Sequence, residues 1–508
     1  MVPLFYVINH TTIKGAFWLS CLTGVLFFSS TIYWLGHVTL LGLILLVLYL
    51  SIYFGIFGLL VKSFWERSKS HIAHPHGRIL LDIFFPPVLW VTLEYLRTHL
   101  LTGFGWALLG YSQYLNLRVI QIADITGVYG VSFLIVLVNV GVYLLLFKIV
   151  GATFMAPAGS GLLNMSFLRI VSRNQTPTSC CQRCANLIYL ILPWIFLAVS
   201  LIYGNFKLSE YPQGNRTLRV SVVQGNIPQD EKWAPEFRML ILEKYEVLTK
   251  LAAMEEPALI IWPETSFPGI IVLDEINQDI LYQKVVSLAK DIKTPILIGS
   301  QRNDVLRDES FNSAILVSQD GNIKTYYDKL HLVPFGEYVP LGRFFPFIGK
   351  AIDVGDFTKG NEYTLFSLPK GRFGTLICFE DIFPGQVRQF VRKGADFLVN
   401  ITNDAWFGRT SAPYQHAQAS VFRAVENRRE VVRSANTGLS CFINPRGEIK
   451  KMDIFTTGYK TETIRLNSKR SFYATYGDLF AVLCLCISVV VIGLSLLPLK
   501  SLDKHLIL

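Results

Sequence analysis

Charged side chains are scarce in this chain. Asp, Glu, Lys and Arg make up 17% of its 508 residues, whereas 51% are hydrophobic, and residues 15–61 contain none of the four charged types. This composition excludes an ordinary soluble enzyme and predicts a membrane protein, because the uncharged run is much longer than the ~20 residues that cross a bilayer. The net charge of +10 then fits cytoplasmic loops and anionic lipid surfaces better than nucleic acid.

Two cofactor signatures are also missing. The sequence contains no glycine-rich phosphate loop and no motif that suggests a metal site, so we expect no nucleotide or metal cofactor. We do not expect a cleaved signal peptide, because the first apolar run exceeds the ~7–15 residues of a signal core and no small-residue cleavage site closes it. The first helix is therefore expected to stay in the membrane.

Hydropathy predicts six membrane spans. They cover about 16–35, 38–61, 79–101, 127–147, 185–204 and 479–499. The third carries Glu94 and Arg97, which are three residues apart and are expected to pair on one helical face. Loops 62–78 and 148–184 each hold four Lys or Arg residues, so the positive-inside rule places these loops and both termini in the cytoplasm. The long polar segment between the fifth and sixth spans then lies outside.

Within that segment, residues 217–463 alternate short β-rich runs with helical stretches, which predicts a layered α/β domain. Cys378 follows an apolar run that reads as a buried strand, and Pro384 suits the first turn of a helix soon after. A strand-to-helix elbow would expose the thiol, and the positive end of the helix would favour its thiolate. Cys378 is thus a candidate nucleophile.

Two upstream stretches offer groups that such a thiol needs. Glu264 ends the buried run LIIWPE, and Lys329 and Glu337 lie in YYDKLHLVPFGEYVP. A carboxylate can act as the general base and an amine can stabilise the oxyanion of a tetrahedral intermediate. Two other interpretations stay open: a disulfide between Cys378 and Cys441, and a cysteine-histidine enzyme with His331 or His416 as the base.

The order Glu264, Lys329, Cys378 resembles the Glu-Lys-Cys triad of the nitrilase, or carbon-nitrogen hydrolase, superfamily. More narrowly, the motifs QGNIPQDEKW, IIWPE, HLVPFGEYVP, ICFED and NDAWFG resemble the apolipoprotein N-acyltransferases, and TGFGWALLGYSQ extends the resemblance into the membrane part. The resemblance implies a polytopic helical membrane domain joined to an extracytoplasmic nitrilase-like αββα sandwich.

It also implies a function. Members transfer a fatty acyl chain from a membrane phospholipid to the N-terminal amine of an S-diacylglyceryl-cysteine apolipoprotein, through a thioester that here would form on Cys378. The expected location is the bacterial inner membrane, with the catalytic domain on the periplasmic side. By motif position, Glu337 and Glu380 match supporting carboxylates and Trp233 matches a lid residue near the acyl chain.

Phe379 and Trp406 complete the candidate lipid contacts, although Phe379 stands where members often carry Tyr. Members typically have eight spans, so two N-terminal helices are expected to be absent. The alternatives are a membrane-tethered amidase or nitrilase that delivers the acyl group to water, and a non-enzymatic membrane scaffold. The thiols of Cys180, Cys181 and Cys184 are expected to be an unligated cluster in a cytoplasmic loop, because a lone CxxC is a weak metal signal.

Overall fold

The computed structural model describes residues 1–71, 75–150, 179–210, 216–273, 279–338 and 357–496. Its first part is helical and its second part is a mixed α/β domain. The helices before the domain are α1 Val2–His10, α2 Ile13–Thr31, α3 Leu40–His71, α4 Pro75–His99, α5 Leu117–Ile120, α6 Ala123–Thr126, α7 Val128–Leu144 and α8 Ser179–Ser209.

Four helical segments in the described part of the chain are long and apolar enough to cross a membrane, judged by length and composition. They are Ile13–Thr31, Leu40–Ser68, Val128–Phe147 and Ile191–Ser209, and they lie at the first, second, fourth and fifth predicted spans. The chain is also helical at the third and sixth predicted spans, in α4 and in a final helix, Leu479–Leu496. The short helix α1 was not predicted; its Phe5 and Ile8 are fully buried.

The polar residues of α4 do not pair as expected. Arg97 donates to the main-chain oxygen of Trp106 at 2.9 Å, while Glu94 accepts from the indole of Trp90 at 3.0 Å and from the main-chain nitrogen of Leu109 at 2.8 Å. The predicted Glu94–Arg97 ion pair is therefore wrong. Both side chains instead satisfy polar groups of the loop that follows α4, which fixes this loop against the helix.

The α/β domain is built on two sheets whose described strands run in the orders β13-β1-β2-β4-β5-β6 and β12-β11-β10-β9-β8-β7, with β3 beside β4. The strands are β1 Thr217–Gln224, β2 Leu259–Ile261, β3 Ile270–Val272, β4 Ile296–Asp304, β5 Glu309–Val317, β6 Ile323–Asp328, β7 Leu365–Leu368, β8 Gly371–Ile377, β9 Phe397–Thr402, β10 Val431–Ala435, β11 Cys441–Ile443, β12 Ile449–Lys451 and β13 Gly458–Arg465. The central strands β1-β2-β4 and β8-β9-β10 are parallel.

The two sheets face each other and helices cover their outer faces. The hydroxyl of Ser434 on β10 lies 3.1 Å from the main-chain oxygens of both Val223 and Ile261 in the other sheet. Every residue of β9 and β10 is buried, as expected for parallel strands covered on both sides. The remaining helices are α9 Arg238–Ala253, α10 Ile280–Ile292, α11 Pro384–Lys393, α12 Ala412–Asn427, α13 Phe472–Tyr476 and α14 Leu479–Leu496. The predicted fold class, membrane helices joined to an αββα sandwich, is confirmed.

Helix α12 joins the domain to the membrane part. Near its start, the side-chain oxygen of Gln415 accepts from the indoles of Trp34 at 3.0 Å and Trp106 at 2.9 Å. At its end, Arg428 forms an ion pair with Asp124 at 2.8 Å. The domain is thus held against the loops that connect the membrane helices.

Candidate active site

The candidate nucleophile occupies a strained backbone position. Cys378 directly follows β8 and has φ of +54°, a left-handed conformation that non-glycine residues seldom adopt and that costs about 1–3 kcal/mol. Its main-chain oxygen accepts from the side-chain amide of Asn400 at 3.0 Å and from Nε2 of His416 at 3.2 Å. These two donors hold the carbonyl and so fix the direction of the side chain.

The expected helix N-terminus is not beside this thiol. A 3₁₀ turn, Cys378–Ile382, follows the strand, and the α-helix begins only at Pro384. The prediction that a helix end favours the thiolate is therefore wrong. Burial, followed by the negative charge of Glu264, raises the pKa of the Cys378 thiol well above its usual range, and the charge of Lys329 offsets this only in part. The resting thiol is protonated, so attack requires a base.

Glu264 is the carboxylate best placed to be that base. It lies just beyond β2, at the carboxyl end of a parallel strand, and its side chain is buried. One oxygen accepts from the main-chain nitrogen of Asn403 at 2.9 Å, and the other accepts from the side-chain amide of Asn312 at 2.8 Å. These two donors come from different sheets, and together they fix the orientation of the Glu264 carboxylate.

Lys329 follows β6 and is 1% exposed. Its ammonium lies 2.8 Å from Glu337 and 3.5 Å from Glu264. Burial disfavours the charge, but the two carboxylates outweigh burial and raise the pKa of Lys329, so it remains a cation. Glu337 is fixed in turn, because its second oxygen accepts from the main-chain nitrogen of Val333 at 2.8 Å.

Glu380 plays a different part from Glu337. Its fully buried carboxylate accepts from the Tyr327 hydroxyl at 2.8 Å, from the main-chain nitrogen of Leu330 at 2.7 Å and from that of Ile377 at 2.7 Å. It therefore ties the segment that carries Lys329 to the strand that carries Cys378. Within the described residues it forms no ion pair with Lys329, so we regard it as a positioning residue.

A second buried charge cluster lies behind Cys378. Nδ1 of His416 is 2.9 Å from Asp404 and its Nε2 is 3.0 Å from Asp381, while Arg433 contacts the same two carboxylates at 3.3 and 3.0 Å. Burial and Arg433 oppose protonation of the imidazole, but the two carboxylates outweigh them and raise the pKa of His416. The two carboxylates of the cluster are thus shared by the Arg433 guanidinium and the His416 imidazole.

Both parts of this architecture have counterparts among known proteins. Residues 219–472 match the family model described as carbon-nitrogen hydrolase, and residues 1–141 match that of the apolipoprotein N-acyltransferase N-terminal domain. The structure of Saccharomyces cerevisiae Nit3, a member of branch 10 of the nitrilase superfamily, aligns with 52% of this chain and 96% of its own at 19% identity and a TM-score of 0.40.

Relatives match over nearly the whole length. The apolipoprotein N-acyltransferase of Geobacter metallireducens is 40% identical, covering 97% of this chain and 89% of the relative. This chain belongs to the apolipoprotein N-acyltransferase family. The protein of that name from Chlorobaculum tepidum is 30% identical over 96% of this chain and 89% of its own length. Membership in this family of enzymes sets aside the scaffold interpretation.

The three aromatic residues expected to contact lipid differ in exposure. Trp233 and Trp406 are about half exposed, at 51% and 52%, whereas Phe379 is partly buried with its ring 5.1 Å from that of Phe383. No hydrogen bond, ion pair or ring contact within the described residues joins any of the three to Glu264, Lys329 or Cys378. Their part in the acyltransferase reaction remains a prediction.

The two histidines are poor candidates for the base of an acyltransferase cysteine. His331 stacks on Phe383 at 3.8 Å between ring centroids, and burial lowers its pKa to about 4. His416 contacts the main-chain oxygen of Cys378 and two carboxylates. The charge that acts most strongly on the Cys378 thiol is that of Glu264 and not that of either ring, so Glu264 is the better candidate base.

Sequence reasoning missed a second lysine in the site. Lys232 is buried, its ammonium donates to the main-chain oxygen of Glu264 at 3.0 Å, and burial lowers its pKa to about 8. Its place beside Trp233 in QGNIPQDEKW could have drawn attention to it. Asn312, which donates to both Glu264 and Glu337 at 2.8 Å, lies on a strand with no recognisable motif, so the sequence offered no signal for it.

The cysteine alternatives are also resolved. Cys378 and Cys441 are both free thiols, so the alternative disulfide is wrong. Cys441 is buried on β11, as a core residue would be. The segment CCQRC belongs to helix α8 rather than to a loop, because that helix begins at Ser179; the side chains of Cys180, Cys181 and Cys184 lie outside the described residues.

Proposed function

We propose that Cys378 forms an acyl-thioester during transfer of a fatty acyl chain from a membrane phospholipid to the N-terminal amine of an S-diacylglyceryl-cysteine apolipoprotein. The observation that carries the proposal is the convergence of the buried Glu264 and Lys329 with the partly buried Cys378 in one site of a chain from the apolipoprotein N-acyltransferase family. The first two come from one sheet and the third from the facing sheet.

In the first step, Glu264 takes the thiol proton and the sulfur attacks the ester carbonyl of the phospholipid. Lys329 stabilises the oxyanion of the tetrahedral intermediate. The intermediate collapses when the carbon-oxygen ester bond breaks and Glu264 returns the proton to the departing glycerol oxygen. The products are a thioester on Cys378 and a lysophospholipid.

In the second step, the acceptor amine attacks the thioester carbonyl. Glu264 removes a proton from the attacking nitrogen, the carbon-sulfur bond breaks, and the same carboxylate returns the proton to the sulfur. An amide forms and the free thiol is regenerated. Both substrates are anchored in a bilayer, so a domain held against membrane helices meets them at the membrane surface.

We further propose that the domain lies on the periplasmic face of the bacterial inner membrane, with both chain termini in the cytoplasm. Loops 62–78 and 148–184 carry the Lys and Arg excess that supports this orientation. Trp233 and Trp406, with half of their surface exposed, would then face the lipid substrates.

An acyl-transfer assay tests the proposal. The purified full-length chain is mixed with phospholipid and an S-diacylglyceryl lipopeptide, and N-acylated peptide is measured by mass spectrometry. We expect Cys378→Ala to abolish the product and Cys441→Ala, at the other described cysteine of the domain, to retain it. Product formation by Cys378→Ala would contradict the proposal, and fatty acid released to water without acylated peptide would indicate a hydrolase.

A further inference from the structure

A large cavity lies far from Cys378. Its volume is about 850 Å³, and it lies where α8 ends, beside the C-terminus of α12, the β11–β12 turn and the segment after β13. Along α12, His416 contacts the Cys378 carbonyl and Arg428 lines the cavity, so 12 residues, or roughly 18 Å of helix, separate the two places. The cavity is a site distinct from the candidate active site.

Its lining is rich in cations. Two of them are paired, Lys207 with Glu210 at 2.9 Å and Arg428 with Asp124 at 2.8 Å. Four more line the cavity without a carboxylate within 4 Å among the described residues: Arg446, Arg465, Lys469 and Arg470. The guanidinium groups of Arg446 and Arg470 donate to main-chain oxygens, whereas the side chains of Arg465 and Lys469 form no hydrogen bond within the described part.

The acidic side chains of the lining do not cancel this charge. Asp124 and Glu210 already pair with cations. Glu448 accepts from the neutral amide of Asn444 at 2.6 Å, so it keeps its charge, but it stands against four further cations of the lining. Glu430 is buried, and burial raises its pKa to about 7, which leaves this carboxyl only partly ionised at neutral pH. The cavity is therefore an electropositive concavity suited to an anion.

Its neighbours place it at the level of lipid headgroups. Lys207 and Tyr203 belong to the last turns of the candidate span Ile191–Ser209, whose side chains Val199, Ile202 and Phe206 are all more than half exposed. On the opposite rim, Phe472 starts the short helix α13, which leads into the apolar helix α14. An apolar surface for acyl chains thus runs up to a basic cavity.

We infer that this cavity binds the phosphate headgroup of an anionic phospholipid whose acyl chains lie along the exposed face of α8. Arg465 and Lys469 supply the uncommitted charges that face the phosphate, and Arg428 and Arg446 border them. A soluble phosphate would gain the same charges without the apolar face. The inference does not depend on Cys378 being the nucleophile.

Lipid retention measured by native mass spectrometry tests the inference. The full-length chain carrying Cys378→Ala, which removes any thioester mass, is titrated in detergent with phosphatidylglycerol and separately with phosphatidylcholine. We expect the protein to retain one phosphatidylglycerol molecule, and we expect phosphatidylcholine not to replace it. A second variant carries Arg465→Gln and Lys469→Gln in addition to Cys378→Ala. It should retain phosphatidylglycerol about tenfold or more weakly, because each cation near an anionic headgroup contributes appreciably to the binding free energy.

The matched control removes two exposed cations elsewhere on the domain, Arg307→Gln with Lys324→Gln, and should leave retention unchanged. Equal retention by the cavity variant and the control would overturn the inference. Displacement of the lipid by millimolar inorganic phosphate would also overturn the lipid assignment, because it would make the site one for a free anion.

Discussion

At the residue scale, the thiol and its proposed base are coupled through charge. Because the Glu264 carboxylate raises the pKa of Cys378, Glu264→Gln should lower that pKa, and the pH profile of Cys378 alkylation by iodoacetamide should move to lower pH. Acyl transfer should nevertheless fall about 10²–10⁴-fold, because the general base is lost. Peptide mass spectrometry measures alkylation at Cys378 directly.

The matched change is Lys329→Met, which removes the opposite charge and should move the same profile to higher pH. If both substitutions shifted the alkylation profile in one direction, the effect would come from a general loosening of the site rather than from these charges. The opposed shifts are specific to a thiol that lies between an acidic and a basic group.

The sequence predicted the identity of the site residues more accurately than it predicted the contacts between them. The motifs marked Glu264, Lys329, Glu337 and Cys378, and the structure brings the first three into hydrogen-bonded contact. Lys232 and Asn312 were missed because their roles depend on distances between strands that are remote in the chain. The thiolate prediction failed because five residues form a 3₁₀ turn before the helix begins, and a turn of that kind leaves no local signature.

At the element scale, one of the contacts by which α12 holds the domain against the membrane part is made by Gln415, which accepts from two indoles. Gln415→Leu would leave the buried indole nitrogens of Trp34 and Trp106 without their shared acceptor, at about 1–3 kcal/mol for each unpaired donor. We expect the midpoint of thermal unfolding in detergent to fall clearly. Gln418→Leu is the control, since this neighbouring side chain forms no hydrogen bond within the described residues. A similar fall in both variants would show that Gln415 has no special role.

The elements themselves were largely predictable, because hydropathy and β-rich runs act locally. The chain is helical at all six predicted spans, yet the Glu94–Arg97 pair was wrong. Helical spacing predicts which side chains share a face, but here the loop after α4 offers each of them a better partner. Tertiary contacts of this kind override the local rule.

At the scale of the whole molecule, the proposed orientation can be tested with single introduced cysteines. Leu306 lies at an exposed turn between β4 and β5, and Glu66 lies near the end of α3. The two variants are Leu306→Cys and Glu66→Cys. In intact cells with a permeabilised outer membrane, a membrane-impermeant maleimide should label position 306 and leave position 66 unlabelled until the inner membrane is disrupted. The reverse pattern would place the domain in the cytoplasm.

A nitrilase-like sandwich joined to membrane helices holds the partly buried Cys378 near the bilayer in which the proposed lipid substrates are anchored. The motifs indicated this arrangement, and Trp106 belongs to TGFGWALLGYSQ, but its partner Gln415 and the basic cavity beside α8 lie outside the motifs. These contacts arise only when the two parts of the fold are assembled.

The central claim is that Cys378 carries the acyl chain between its two substrates. The most direct measurement is mass spectrometry of the peptide that contains Cys378, from protein purified with phospholipid and without acceptor. We predict a fatty acyl mass on this peptide that hydroxylamine removes and that Cys378→Ala lacks. An unmodified Cys378 thiol in protein that is active in the transfer assay would contradict the account.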